Sequence, residues 1–168
     1  MLGDKAPNTI EEFKELKYND SNKWEMFIQN YKKEYAREYI KSDEQPKKLS
    51  IGQQNKHLKG THEYNQKADA LKKKGQYGPS YISIDSKRIS ELIERYFGSG
   101  EIILRKGQWN NTEIILTNDE VIGKAINNLN GKEADTTVFK IHYGKDGTHM
   151  VPDYPSKKKG AEKNDRLS

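Results

Sequence analysis

The apolar residues of this chain change their period once, at Gly98-Ser99-Gly100, and that switch sets the fold class. Before it they recur at helical spacing. Thr9-Ile10-Glu11-Glu12 has the form of a helix-capping box, with Phe13 and Leu16 following Ile10 on one face. Trp24, Phe27, Ile28, Tyr31 and Tyr35 make one amphipathic stripe from a helix start at Asp20 or Ser21, which predicts Tyr31 and Tyr35 in the core. A polar, helix-capable stretch spans 53–74, Lys74 to Pro79 breaks it, and a short strand at 81–84 leads into a helix at 86–96 with Ile89, Leu92, Ile93 and Tyr96 inward. After Gly100 the period is two. It predicts strands at about 101–105, 112–116, 121–125, 136–143 and 148–152, with a loop from Asn127 to Asp135. The order predicts an α+β fold in which N-terminal helices pack on a twisted antiparallel β-sheet.

Composition limits how much core that fold can have. Of 168 residues, 32% are hydrophobic and 33% charged, enough for one modest core. The sequence therefore divides into a helical appendage and linker over 1–50, one domain over 51–155 and a lysine-rich tail over 156–168 that predicts disorder. No run approaches the roughly 20 apolar residues of a membrane span, and the N-terminus lacks the apolar stretch of a signal peptide. The absence of cysteine removes thiolate metal sites, thiol nucleophiles and disulfides, and fits work in the cytosol. Neither an internal repeat nor a nucleotide-binding glycine pattern is present.

The net charge of +5 is unevenly placed. Residues 1–50 balance, 51–80 carry six basic against two acidic side chains, 157–168 carry five against two, and the body between is slightly acidic. A basic flank on a near-neutral domain suits a polyanion such as RNA or DNA.

The four histidines form two close pairs, His57 with His62 and His142 with His149. Residues 138–143 alternate, and Gly144-Lys145-Asp146-Gly147 is a hairpin turn. With Lys145-Asp146 as the loop, His142 faces His149 and Tyr143 pairs with Thr148. With Asp146-Gly147 as the loop, His142 pairs with Val151. Both registers leave the two histidines on one sheet face with Lys140, opposite Phe139, Ile141 and Met150. Such a patch suits cleavage of RNA, whose ribose 2′-hydroxyl is a built-in nucleophile. The reaction needs a base, an acid for the leaving 5′-oxygen and positive charge near the phosphate, and no metal or other cofactor. The five-residue spacing of His57 and His62, with no carboxylate cluster, is a poor metal motif. Trp109 could stack on a base or plug the core edge, Arg105 could meet a phosphate, and Lys56 and Lys59 lie in the basic segment around His57.

The stretch Gln54-Asn55-Lys56-His57-Leu58-Lys59-Gly60-Thr61, with Tyr64 after it, resembles the opening of the bacterial polymorphic toxin type 50 domain. The resemblance continues through Gly98-Ser99-Gly100, Gly107 to Glu113, Ile122-Gly123 and Thr137. It closes on the specific block Ile141-His142-Tyr143-Gly144-Lys145-Asp146-Gly147-Thr148-His149-Met150-Val151-Pro152. It implies a ribonuclease toxin of the barnase–EndoU–colicin–RelE fold that acts without a metal and is held in check by a cognate immunity protein. Residue by residue it implies catalytic roles for His57, His142, His149, Lys56, Thr148 and Tyr143; charge and stacking add Lys140, Arg105, Trp109 and Lys59 as substrate contacts, with His62 last. His62 falls where family members often differ, Gly144 stands where they usually have Ser, and the segment 67–78 is expanded. Residues 3–40 resemble the C-terminal part of phage minor head proteins, which implies a phage head or larger toxin carrier.

These features predict an endoribonuclease toxin with histidine acid–base catalysis. It would work in the cytoplasm of a target or host bacterium after secretion or carriage in a phage particle. Two alternatives are a non-catalytic nucleic-acid-binding or phage-head module, and a metal-dependent DNase of the same shape.

Overall fold

The computed structural model describes residues 9–12, 14 and 21–158. Along the chain come α1 (Ser21–Lys41), α2 (Ile51–Asn55), α3 (His62–Lys73), β1 (Tyr81–Ile82), α4 (Ser86–Tyr96) and β2 (Glu101–Arg105). Then follow β3 (Gln108–Ile115), β4 (Gly123–Ile126), β5 (Glu133–Thr136), β6 (Phe139–Gly144) and β7 (Gly147–Pro152). The switch at Gly98–Gly100 is where helices give way to strands, and the fold is α+β. At the N-terminal side the Glu12 N–H donates to Thr9 Oγ1 at 3.1 Å, as a capping box requires. Phe13, Leu16 and the tail beyond 158 lie outside the described residues, and 156–158 form a helical turn. Among the described residues no helix is long and apolar enough to cross a membrane.

The pattern predicts one antiparallel sheet, and the structure has two, ordered β1-β4-β5 and β2-β3-β6-β7. The single strand expected over 136–143 is divided between them. Thr136 makes the division: its hydroxyl donates to Asp153 O at 2.6 Å and accepts from Val138 N–H at 3.1 Å, turning the chain between β5 and β6. The other edge of the small sheet depends on Gly123, because a Cβ there would lie 2.0 Å from Tyr81 O and block the pairing of β1 with β4.

The polar stretch 53–74 also divides. α2 ends at Asn55, Gly60 takes a φ of 93°, and Thr61 caps α3 by accepting Tyr64 N–H at 3.1 Å. That break leaves His57 in a turn. β3 starts four residues before its predicted position, since Lys106 (φ 52°) and Gly107 (φ 75°) form a tight turn that pairs Arg105 with Gln108.

The core lies between α1, α4 and the larger sheet. α4 is capped by Asp85, whose Oδ1 accepts Arg88 N–H at 2.8 Å, and buries Ile89, Leu92, Ile93 and Tyr96 as predicted. They meet Ile102, Ile115, Phe139, Ile141 and Met150 of the sheet. Removing one such side chain, as in Leu92→Ala, costs about 2–5 kcal/mol.

α1 corrects the helical stripe. Ala36 and Ile40 enter the core, whereas Tyr31 and Tyr35 are 47% and 65% exposed. Polar contacts set the rotation: Lys32 Nζ donates to Gly107 O, and Arg37 Nη1 donates to Gly98 O and Gly100 O at 3.1 and 2.8 Å. Residues 41–50, read from sequence as a linker, run onto the outer edge of β7. Leu49 bridges Thr148 in parallel, Thr148 N–H donates to Lys48 O at 2.8 Å, and Ser50 N–H donates to Thr148 O at 2.8 Å.

Candidate active site

The β6–β7 hairpin takes the first of the two predicted registers. Gly144 pairs with Gly147, Tyr143 with Thr148 and His142 with His149. Phe139, Ile141 and Met150 face the core with no exposure, so strand alternation puts His142 and His149 on the other face. Their rings stand 4.8 Å apart, centroid to centroid.

His57 reaches the same place from a different element. In the turn after α2 its N–H donates to Gln54 O at 2.9 Å and its carbonyl accepts Ile82 N–H at 2.7 Å. Held at both ends, its ring stacks on His149 at 5.5 Å, with the planes 11° from parallel. The three rings thus form one column. A cleft of about 250 Å³ opens over it, lined by Ser50 and Gln53 on the α2 side, Asn111 of β3, His142 and His149, and Lys145 and Asp146 of the turn.

Burial is the main electrostatic influence. It lowers His57 to about 3, with Lys67, His149, His142 and Lys56 adding repulsion. His149 falls to about 4, again chiefly through burial and then through His142, Lys56 and Lys67. His142 is also lowered, by burial and then by Lys140. All three imidazoles are therefore neutral at pH 7, and the buried Nε2 of His142 has no hydrogen-bond partner. Among the described residues no group of three or more His, Asp or Glu side chains is placed to hold a metal ion.

The other predicted site residues divide into near and far. Lys56 adjoins His57 and donates to Gln53 Oε1 at 3.0 Å. Lys140 shares the histidine face, its Nζ 4.0 Å from Asp153 Oδ2. Tyr143 and Thr148 alternate to the opposite face and are buried. The Thr148 hydroxyl donates to Lys47 O and Lys48 O at 3.0 and 3.2 Å, which ties down the segment before α2. The Tyr143 hydroxyl donates to the buried Glu113 carboxylate, which also accepts Gly98 N–H at 2.7 Å and Gly100 N–H at 3.1 Å. Trp109 packs on Tyr39 and Tyr143 and donates to Thr112 O at 3.1 Å, so it closes the core edge. Arg105 is exposed at the end of β2, with β3 between it and β6. Lys59 lies over the Tyr81 ring, 4.7 Å from its centroid. His62 is exposed at the first position of α3, and among the described residues no ring stack includes it.

Two cluster residues escape a sequence reading. Lys67 sits three positions after the buried Tyr64 on α3, so helical spacing turns it toward the histidines. Asn111 holds a left-handed φ of 61°, which asparagine tolerates better than most residues, and the Asn110-Asn111 pair is the only trace of it.

Against known families, the model described as bacterial toxin 50 (Ntox50) matches residues 49–152, more than half of the chain. The chain belongs to the bacterial toxin 50 family. Comparison with curated proteins finds no match. The toxin 50 match begins at Leu49, whose bridge to Thr148 reaches the hairpin, and ends at Pro152, the last residue of β7. It contains both sheets and all three stacked histidines.

Proposed function

We propose that this toxin 50 domain is an endoribonuclease with a fold of the barnase–EndoU–colicin–RelE type. The observation that carries the reading is the column His142–His149–His57 beneath an open cleft, ringed by Lys56, Lys67 and Lys140. One cleft histidine takes the proton of the ribose 2′-hydroxyl. The freed oxygen attacks phosphorus, the bond to the 5′-oxygen breaks, and the second histidine gives that oxygen its proton, leaving a 2′,3′-cyclic phosphate and a 5′-hydroxyl. The lysines offset the charge gathered on the phosphoryl oxygens.

The neutral resting state suits a base. The acid acquires its proton as the phosphate arrives, since a nearby anion raises an imidazole that burial has lowered. His142 and His149 line the cleft, and His57 holds the His149 ring from beside it. Thr148 and Tyr143 act through position, by fixing the segment before α2 and the loop at Gly98–Gly100. The RNA is that of a target or host bacterium, and an acidic immunity protein covering the basic cleft would silence the domain. Residues 3–40 are read as the join to a phage-head-like or larger toxin carrier.

The test is an RNA oligonucleotide and the same oligonucleotide with 2′-deoxyribose at its cleaved positions. The reading requires that only the first is cut, with cyclic-phosphate and 5′-hydroxyl ends. Cutting of the deoxy substrate, or of DNA alone with added divalent metal, overturns it.

A further inference from the structure

β7 is the outer strand of its sheet, so its outward N–H and C=O groups need partners from elsewhere. At Thr148 the chain itself supplies them, through Lys48 O and Ser50 N–H. Two residues on, the partner is a side chain. Gln54 of α2 is 1% exposed, its Oε1 accepts Met150 N–H at 2.7 Å, and its Nε2 donates to Met150 O at 2.9 Å. A primary amide is the side-chain group that can imitate both halves of a peptide unit at once. Here it continues the edge ladder where the backbone of α2 has curled into a helix.

The same residue holds His57, whose N–H donates to the Gln54 backbone carbonyl. Met150 directly follows His149 in β7. Gln54 therefore grips the neighbour of one stacked histidine with its side chain and the other stacked histidine with its main chain. We propose that Gln54 is a positioning residue for the active site: its amide clamp on Met150 sets the register of α2 against β7 and so brings His57 onto His149. The register it sets is a geometric property of the free protein. The assignment of that column to RNA cleavage rests on the reading above, and a titration separates the two.

Gln54→Met keeps the length and apolar volume of the side chain while removing both hydrogen bonds. Gln54→Asn keeps the amide one methylene short and serves if the methionine variant fails to fold. The measurement is the pH titration of the histidine ring protons by NMR, with thermal unfolding recorded beside it. In the wild type we expect the stack to shield the His57 and His149 ring protons and burial to hold both titrations well below 6.5, near 3 and 4. In the variants we expect both sets of resonances to lose that shielding and both titrations to move up toward 6.5. A variant that melts earlier but keeps the shifts and titrations of His57 and His149 overturns the proposal, because Gln54 would then be a structural clamp only. Failure of the wild type to cleave RNA would overturn the ribonuclease reading and leave this result standing.

Discussion

His57 and His149 stack nearly parallel, with ring centroids 5.5 Å apart and planes 11° from parallel, although one follows a short helix and the other lies on the last strand of the sheet. The contact takes two imidazoles out of water and sets them beside Lys56 and Lys67, which lowers both. The consequences of that pairing and of the polar contacts behind it are measurable.

Acid should destabilise the domain through this column. Between pH 6.5 and the lowered values of about 3 and 4, the unfolded chain binds protons that the folded one refuses. The stabilising contribution is therefore complete above pH 6.5 and declines as the pH falls toward 4. Melting temperatures from pH 7.5 to 5 should fall in the wild type and fall less in His57→Phe, which keeps an aromatic ring in the stack but cannot titrate. Equal slopes would contradict the account.

Tyr143→Phe should cost about 1–3 kcal/mol of stability, because it removes one donor from the fully buried Glu113 carboxylate. RNA cleavage at a temperature where the variant is folded should stay within a fewfold of wild type. A loss of activity with unchanged stability would instead put the Tyr143 hydroxyl in the chemistry.

Asn111 separates backbone from side chain. Its φ of 61° is open to glycine, whereas alanine there should cost about 1–2 kcal/mol. Chemical denaturation should place Asn111→Gly close to wild type and Asn111→Ala clearly below it. Because Asn111 lines the cleft, the glycine variant should also bind RNA more weakly.

Much of the site was legible because a hairpin is a local object. Gly144 to Gly147 and the alternation before it put His142 and His149 on one sheet face in either register with no knowledge of the rest of the chain, and the structure then chose the register that sets them opposite each other. α4 was legible for the same reason, with a stripe and a glycine stop within a few turns. What escaped depends on distant partners. Glu133-Ala134-Asp135 carries no apolar alternation because β5 is an exposed edge, and it reads as loop. The division of 136–143 rests on a bond from Thr136 to Asp153. Tyr31 and Tyr35 were misplaced because Lys32 and Arg37, gripping loop carbonyls, decide which face of α1 turns inward. Gln54 looks like any polar helical residue until its amide meets Met150 of β7, and Lys67 until the histidines gather within reach of its charge.

The most direct test of the central claim is incubation of purified protein with total RNA in excess EDTA, beside a His142→Ala/His149→Ala double variant shown by circular dichroism to be folded. The account predicts cleavage by the wild type and a loss of at least a hundredfold in the variant, in line with the usual contribution of positioned acid–base groups. RNA left intact by the wild type, or cut equally well by both proteins, would contradict it.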